Sequence, residues 1–114
     1  MVIEWLEFQV KPEAREKFIQ KDQEIWTKFL AKQPGFLGKE IWINPAIEEE
    51  LIIVAHWQTE EQWKAISKNL LDETEAKFSL AMGKDNYQLI KVKEFQVRKF
   101  RENCQNNLGA MQPR

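Results

Sequence analysis

A single histidine, His56, stands in VAHWQTEEQW, residues 54–63, with Trp57 beside it and Trp63 at the end of the stretch. An imidazole with an unperturbed pKa of ~6.5 can take a proton at neutral pH. Such a base could remove a proton from an electron-rich phenol or hydroquinone, and the anion would then react with dioxygen. The plainer role is an imidazole at a strand end, hydrogen-bonded to backbone or to a partner subunit. Asp22 is the second candidate. On a helical wheel it falls between Phe18, Ile25 and Phe29, within an apolar stripe. A carboxylate there must find partners or shift its pKa upward. A tryptophan N–H, His56 or a lysine would serve, and Asp22 would then be a buried acid lining a cleft. The simpler expectation is that the helix rolls slightly and Asp22 reaches the solvent edge. Trp57, Trp63, Trp26 and Phe29 are candidate walls for a flat apolar ligand, although core or dimer interface is the default role of such side chains. One histidine and one cysteine make no ligand set, so no metal site is expected.

These residues need a scaffold, and the chain is long enough for one small domain: 114 residues, 43% apolar and 31% charged. Seventeen basic and eighteen acidic residues nearly cancel, without a basic block, which argues against a nucleic-acid partner. No apolar run approaches the ~20 residues that span a bilayer, so no membrane partner is expected. The first residues, MVIEWLEFQV, lack the positive charge of a signal peptide. Cys104 cannot pair within the chain and reads as a bystander thiol, so the expected location is cytoplasmic.

Alternation over residues 2–10 predicts a strand with Leu6, Phe8 and Val10 on one face and Trp5 and Glu7 on the other. Pro12 opens a helix over 13–32 that Pro34-Gly35 stops. Strands are expected at 36–44 and 50–58, with a turn at 45–50 whose Glu48, Glu49 and Glu50 form a solvated loop. The run Leu51 to Ala55 is apolar on both faces, as in a central strand or one sandwiched at an interface. Thr59 with Gln62 fits a capping box and opens a helix bearing Trp63, Ile66 and Leu70. Asp72 with Glu75 repeats the pattern, which places a break near Asp72, and the second piece carries Phe78 and Met82 to Gly83. A long last strand is expected over 87–100, followed by a polar, flexible tail, residues 101–114.

The order βαββαβ predicts a ferredoxin-like α+β domain over residues 1–100: a four-stranded antiparallel sheet with helices on one face. The other face, with Trp5, Glu7 and Glu40 neutralised by Lys91 or Lys93, would be bare. A second copy packed sheet to sheet, a homodimer forming a barrel, would cover it. The stretches FQVKPEAREKF, QPGFLGKEIW and IIVAHWQTEEQW carry a resemblance. The chain resembles the antibiotic biosynthesis monooxygenase-like group of dimeric α/β-barrel proteins, including a cyanobacterial set, over about residues 2–98. The resemblance implies a homodimer and a ligand cleft between helices and sheet in each subunit. Activities in that group range from cofactor-free oxygenation of aromatic polyketides or quinols to haem breakdown and small-molecule isomerisation. Haem-degrading members use an Asn on the first strand, and a Trp and a haem-binding His on the second helix. Here those helix positions fall at Ile66 and Ala76, and no Asn precedes Asn44, which argues against haem degradation.

The functional expectation is therefore binding of a small, flat, apolar or aromatic molecule. It extends to cofactor-independent oxygenation, with His56 as base, Asp22 as its orienter or acid, Trp57, Trp63, Trp26 and Phe29 as walls, and no cofactor. A non-catalytic ligand-binding module and a dimerising scaffold without a pocket are the alternatives.

Overall fold

The computed structural model describes residues 1–101; Cys104 and the tail expected after Arg101 lie outside the described residues. Four strands, β1 (Val2–Val10), β2 (Phe36–Asn44), β3 (Ile47–Trp57) and β4 (Tyr87–Gln96), form one antiparallel sheet in the order β2-β3-β1-β4. This is the expected ferredoxin-like plan. Helices α1 (Arg15–Lys21), α2 (Lys28–Leu30), α3 (Glu60–Lys64) and α4 (Lys68–Met82) supply the other layer. The core lies between the two layers, where Val10, Leu51 and Ile53 from the sheet meet Phe18, Phe78 and Met82 from the helices.

β1 behaves as its alternation requires: Leu6, Phe8 and Val10 pack into this core. β3 is one of the two inner strands, paired on both sides, and Leu51, Ile52, Ile53, Val54 and Ala55 are all buried. β3 also starts earlier than the sequence suggested. The side chain of Asn44 turns the chain, its Oδ1 accepting from Ala46 N at 2.9 Å and its Nδ2 donating to Glu50 Oε2 at 2.6 Å. Glu48, Glu49 and Glu50 therefore belong to the strand and not to a loop.

Between α1 and α2 the helix widens into a π turn, Asp22–Thr27. The cause is visible in the spacing. Ala14, Phe18, Asp22 and Leu30 are buried and Trp26 is half-buried, every fourth residue. A regular helix turns 3.6 residues per turn, so a strict four-residue spacing drifts by about 40° each step. One wider turn takes up that drift and keeps the stripe on the sheet.

The bend after α2 depends on Gly35, whose φ of 84° is a left-handed value that a side chain resists. A Cβ there would also collide with the Gln62 side chain, so bend and α3 are locked together. Gln62 N donates to Thr59 Oγ1 at 3.1 Å, the expected cap. The helix break falls at Ala65–Ser67 and not near Asp72. This moves the buried stripe of α4 to Thr74, Phe78 and Met82 and leaves Leu70 exposed.

β4 ends at Gln96, shorter than expected, and carries a bulge opposite Glu7 and Phe8. Ile90 is the extra residue, since Glu7 pairs with Lys91 and Phe8 with Leu89. No single alternation therefore runs through β4. Tyr87 and Leu89 share the helix face with Val92, whereas Lys91, Lys93 and Phe95 turn to the bare face.

Candidate functional site

A cavity of about 670 Å³ lies between the helices and the sheet. Its walls are mostly apolar: Phe8, Phe18, Ile53 and Phe78 on one side, Trp26 and Trp63 on another. Phe18 is the hub of the aromatic wall, with ring centroids 5.2 Å from Phe8, 5.1 Å from Phe78 and 5.8 Å from Tyr87. The phenol of Tyr87 donates to Glu75 Oε2 at 2.7 Å. Burial, with that carboxylate beside it, pushes the Tyr87 pKa up to about 12, so it stays protonated near neutrality.

The polar part of the lining comes from strand register. Glu4 on β1 pairs with Ala55 on β3, and Ala55 pairs with Lys39 on β2. Side chains of directly paired residues share a face. A carboxylate and an ammonium thus flank one small methyl side chain on the cavity floor. Lys39 Nζ lies 2.6 Å from Asp22 Oδ2, and both side chains are almost wholly buried, at 6% and 3% exposure. Burial pushes the Asp22 pKa up, while the Lys39 ammonium pulls it back. Glu4 is held differently. Its Oε1 accepts from Trp57 Nε1 at 3.2 Å. Burial raises its pKa, against the Trp57 hydrogen bond and the charges of Lys39 and Lys64.

The structure brings together only some of the residues singled out by sequence. Asp22, Trp26 and Trp63 line the cavity. Asp22 does not roll to the solvent edge: it is 2% exposed, with a lysine as its partner. Trp57 is wholly buried behind the floor, its ring edge-on to Phe36 at 5.3 Å, and Phe29 packs edge-on to Trp26 at 6.1 Å; neither lines the cavity. His56 lies on the opposite sheet face, paired in register with Ile3 and Gly38, with Nε2 3.1 Å from Glu40 Oε2. It cannot reach Asp22 across the sheet. The Glu40 carboxylate, which also accepts from Trp42 Nε1 at 2.9 Å, is held below its ordinary pKa first by that hydrogen bond and then by His56.

Glu4, Lys39 and Tyr87 were not singled out by sequence. For Glu4 a signal existed: it is in phase with Leu6, Phe8 and Val10, a charge on the apolar side of the alternation. Among the described residues no group of three or more His, Cys, Asp or Glu side chains could hold a metal ion, and no helix is long and apolar enough to cross a membrane.

The family model for antibiotic biosynthesis monooxygenase matches residues 1–70, more than half of the chain. The chain belongs to the antibiotic biosynthesis monooxygenase family. Three solved structures show the same fold at low identity. SnoaB, a cofactor-independent oxygenase from Streptomyces nogalater, is 16% identical with a TM-score of 0.61, covering 87% of this chain and 94% of that one. A Streptomyces coelicolor monooxygenase in complex with nanaomycin D is 16% identical with a TM-score of 0.66, covering 90% and 91%. A conserved protein from Methanosarcina mazei is 17% identical with a TM-score of 0.62, covering 85% and 92%. No curated protein matches this sequence. In family terms, the cavity of this chain combines apolar walls with a buried Asp–Lys pair and a second carboxylate.

Proposed function

We propose that this antibiotic biosynthesis monooxygenase family member binds a small, flat, aromatic molecule in the helix-face cavity and oxygenates it without a cofactor. The observation that carries this reading is the cavity itself: about 670 Å³, within the usual range for small-molecule sites, with tryptophan and phenylalanine walls and a few buried polar groups. In such a reaction the ligand supplies the electrons. A ring C–H₂ group and dioxygen give a carbonyl, and the second oxygen atom leaves as water with the two hydrogens. The protein's part is to exclude bulk water and to move the first proton. We assign that work to an acidic side chain inside the cavity and not to His56, which faces the other side of the sheet. A sealed core would favour the scaffold alternative, and this one is open.

Oxygen uptake should be measured across a panel of quinols and anthrones, together with quenching of tryptophan fluorescence. Quenching by at least one compound is expected. Trp63→Ala should weaken binding roughly three- to tenfold through lost stacking, and His56→Ala should leave the quenching unchanged. Quenching without oxygen uptake would make the protein a ligand-binding module. No response in either assay would remove the reading.

We place two copies sheet to sheet. Ile3, Trp5, Ile52 and Phe95 occupy the bare face, where Phe95 is 50% exposed, and Glu7 sits opposite Lys91 in register. Lys93 Nζ lies 5.0 Å from the centre of the Trp5 ring. Sedimentation should return the mass of two chains, and Trp5→Glu should return one. We assign the protein to the cytoplasm, consistent with the lack of a spanning helix among the described residues.

A further inference from the structure

We propose that Glu4 is the residue that engages an acidic O–H of the bound aromatic ligand and takes its proton, with Trp57 as its positioning residue. This rests on the cavity being the ligand site. Three observations carry it. First, Glu4 lines the cavity from the floor, beside the small side chain of Ala55, where a flat ring can approach it. Second, the two carboxylates nearest the floor are not equivalent. Asp22 is committed to Lys39 at 2.6 Å, whereas no cation makes an ion pair with Glu4 among the described residues. Third, only one oxygen of Glu4 is engaged. Trp57 Nε1 donates to Oε1, and no protein donor among the described residues is bonded to Oε2. That oxygen is not sealed in the core, so a ligand hydroxyl in the cavity can reach it and donate to it.

The groups around Glu4 set its pH behaviour. From β3 comes the Trp57 N–H; from β2, Lys39; from α3, Lys64, which is itself paired at 3.2 Å with Glu94, the register partner of Glu4 on β4; Asp22, from the π turn, meets Lys39. Burial outweighs the favourable neighbours and raises the Glu4 pKa above the ordinary glutamate range, toward the pH at which a general base works best. In the proton transfer the ligand O–H bond breaks. The proton goes to Glu4 Oε2, and the electron pair stays on the ligand oxygen.

The test compares 2-naphthol with 2-methoxynaphthalene by calorimetry, between pH 4 and 8, on the wild-type protein, Glu4→Gln and Trp57→Phe. Wild type is expected to prefer the hydroxyl compound roughly ten- to hundredfold at pH 8. The preference should fall as Glu4 is protonated on acidification. In Glu4→Gln the amide oxygen keeps the Trp57 hydrogen bond and turns an NH₂ to the ligand. The preference should collapse at every pH, with the methoxy compound bound within about threefold of wild type. In Trp57→Phe the carboxylate loses a donor that favours its ionised form, so the midpoint of the pH dependence should move up. The wild-type pH series needs no variant and so holds even if one fails to fold. Equal binding of the two compounds by wild type, or an unchanged preference in Glu4→Gln, would overturn the role of Glu4 and leave the cavity reading in place. If neither these compounds nor the quinol and anthrone panel binds, both are overturned.

Discussion

Lys39→Met is expected to destabilise the fold by about 3–5 kcal/mol, because it leaves the Asp22 carboxylate buried without its cation. In a domain of this size that corresponds to a fall in Tm on the order of 15 °C. The double variant Asp22→Asn/Lys39→Met should recover much of the loss, since both members of the buried pair are then neutral. The pH dependence carries the sign. Burial already raises the Asp22 pKa above its unfolded value, and Lys39 works against that rise. Removing Lys39 raises it further. A carboxylate with a raised folded pKa costs nothing while it is protonated in both states, below its unfolded pKa. The cost grows as pH rises toward the folded pKa. Lys39→Met should thus lie nearest to wild type in acid and furthest from it above neutrality. Thermal melts from pH 4 to 8 would show this, and a deficit that grows on acidification would contradict the buried-pair account.

Phe18→Ala is expected to cost about 3–5 kcal/mol by denaturant unfolding, with Phe18→Leu costing less. Phe18 is 1% exposed and touches three aromatic rings, so its removal opens a void that neighbours on both layers cannot fill together. It also lines the cavity, so the void would merge with the ligand site. A loss below about 1 kcal/mol, on the scale of an exposed site, would mean that the aromatic wall collapses freely and that the cavity is not a rigid mould.

The strands were legible because alternation is local. Leu6, Phe8 and Val10 on one side of β1, and Leu51 to Ala55 buried on both, need no knowledge of partners. The Thr59 cap is likewise local. Three features were hidden for physical reasons. The four-residue spacing of Ala14, Phe18, Trp26 and Leu30 that goes with the π turn at Asp22–Thr27 is interrupted by a carboxylate, Asp22, at its middle position, so along the sequence it passes for an ordinary helical stripe. The Asp72–Glu75 pattern reads as a helix start along the sequence, and only the packing of Phe78 and Met82 on the sheet goes with a helix that has already begun at Lys68. The bulge at Ile90 depends on where β1 and β4 hydrogen-bond.

The site suffered most from this locality. The row Lys39, Ala55, Glu4 is made by register between three strands, and register is invisible to a scan along one. His56 looked close to Asp22 only because strand face was undetermined. Once β3 pairs with β1 and β2, His56 goes to one side and Ala55 and Trp57 to the other.

The wide turn of the first helix also governs how this chain should be lined up against other sequences. A relative whose helix is regular throughout would need a one-residue gap inside a helix, where gaps are ordinarily disfavoured. Without it, every position from Arg15 to Asp22 slips by one. The partner of Asp22 would then be assigned to Lys21 or Gln23, each about 100° away around the helix. A comparison of buried acids across such relatives is meaningful only after superposition of backbones.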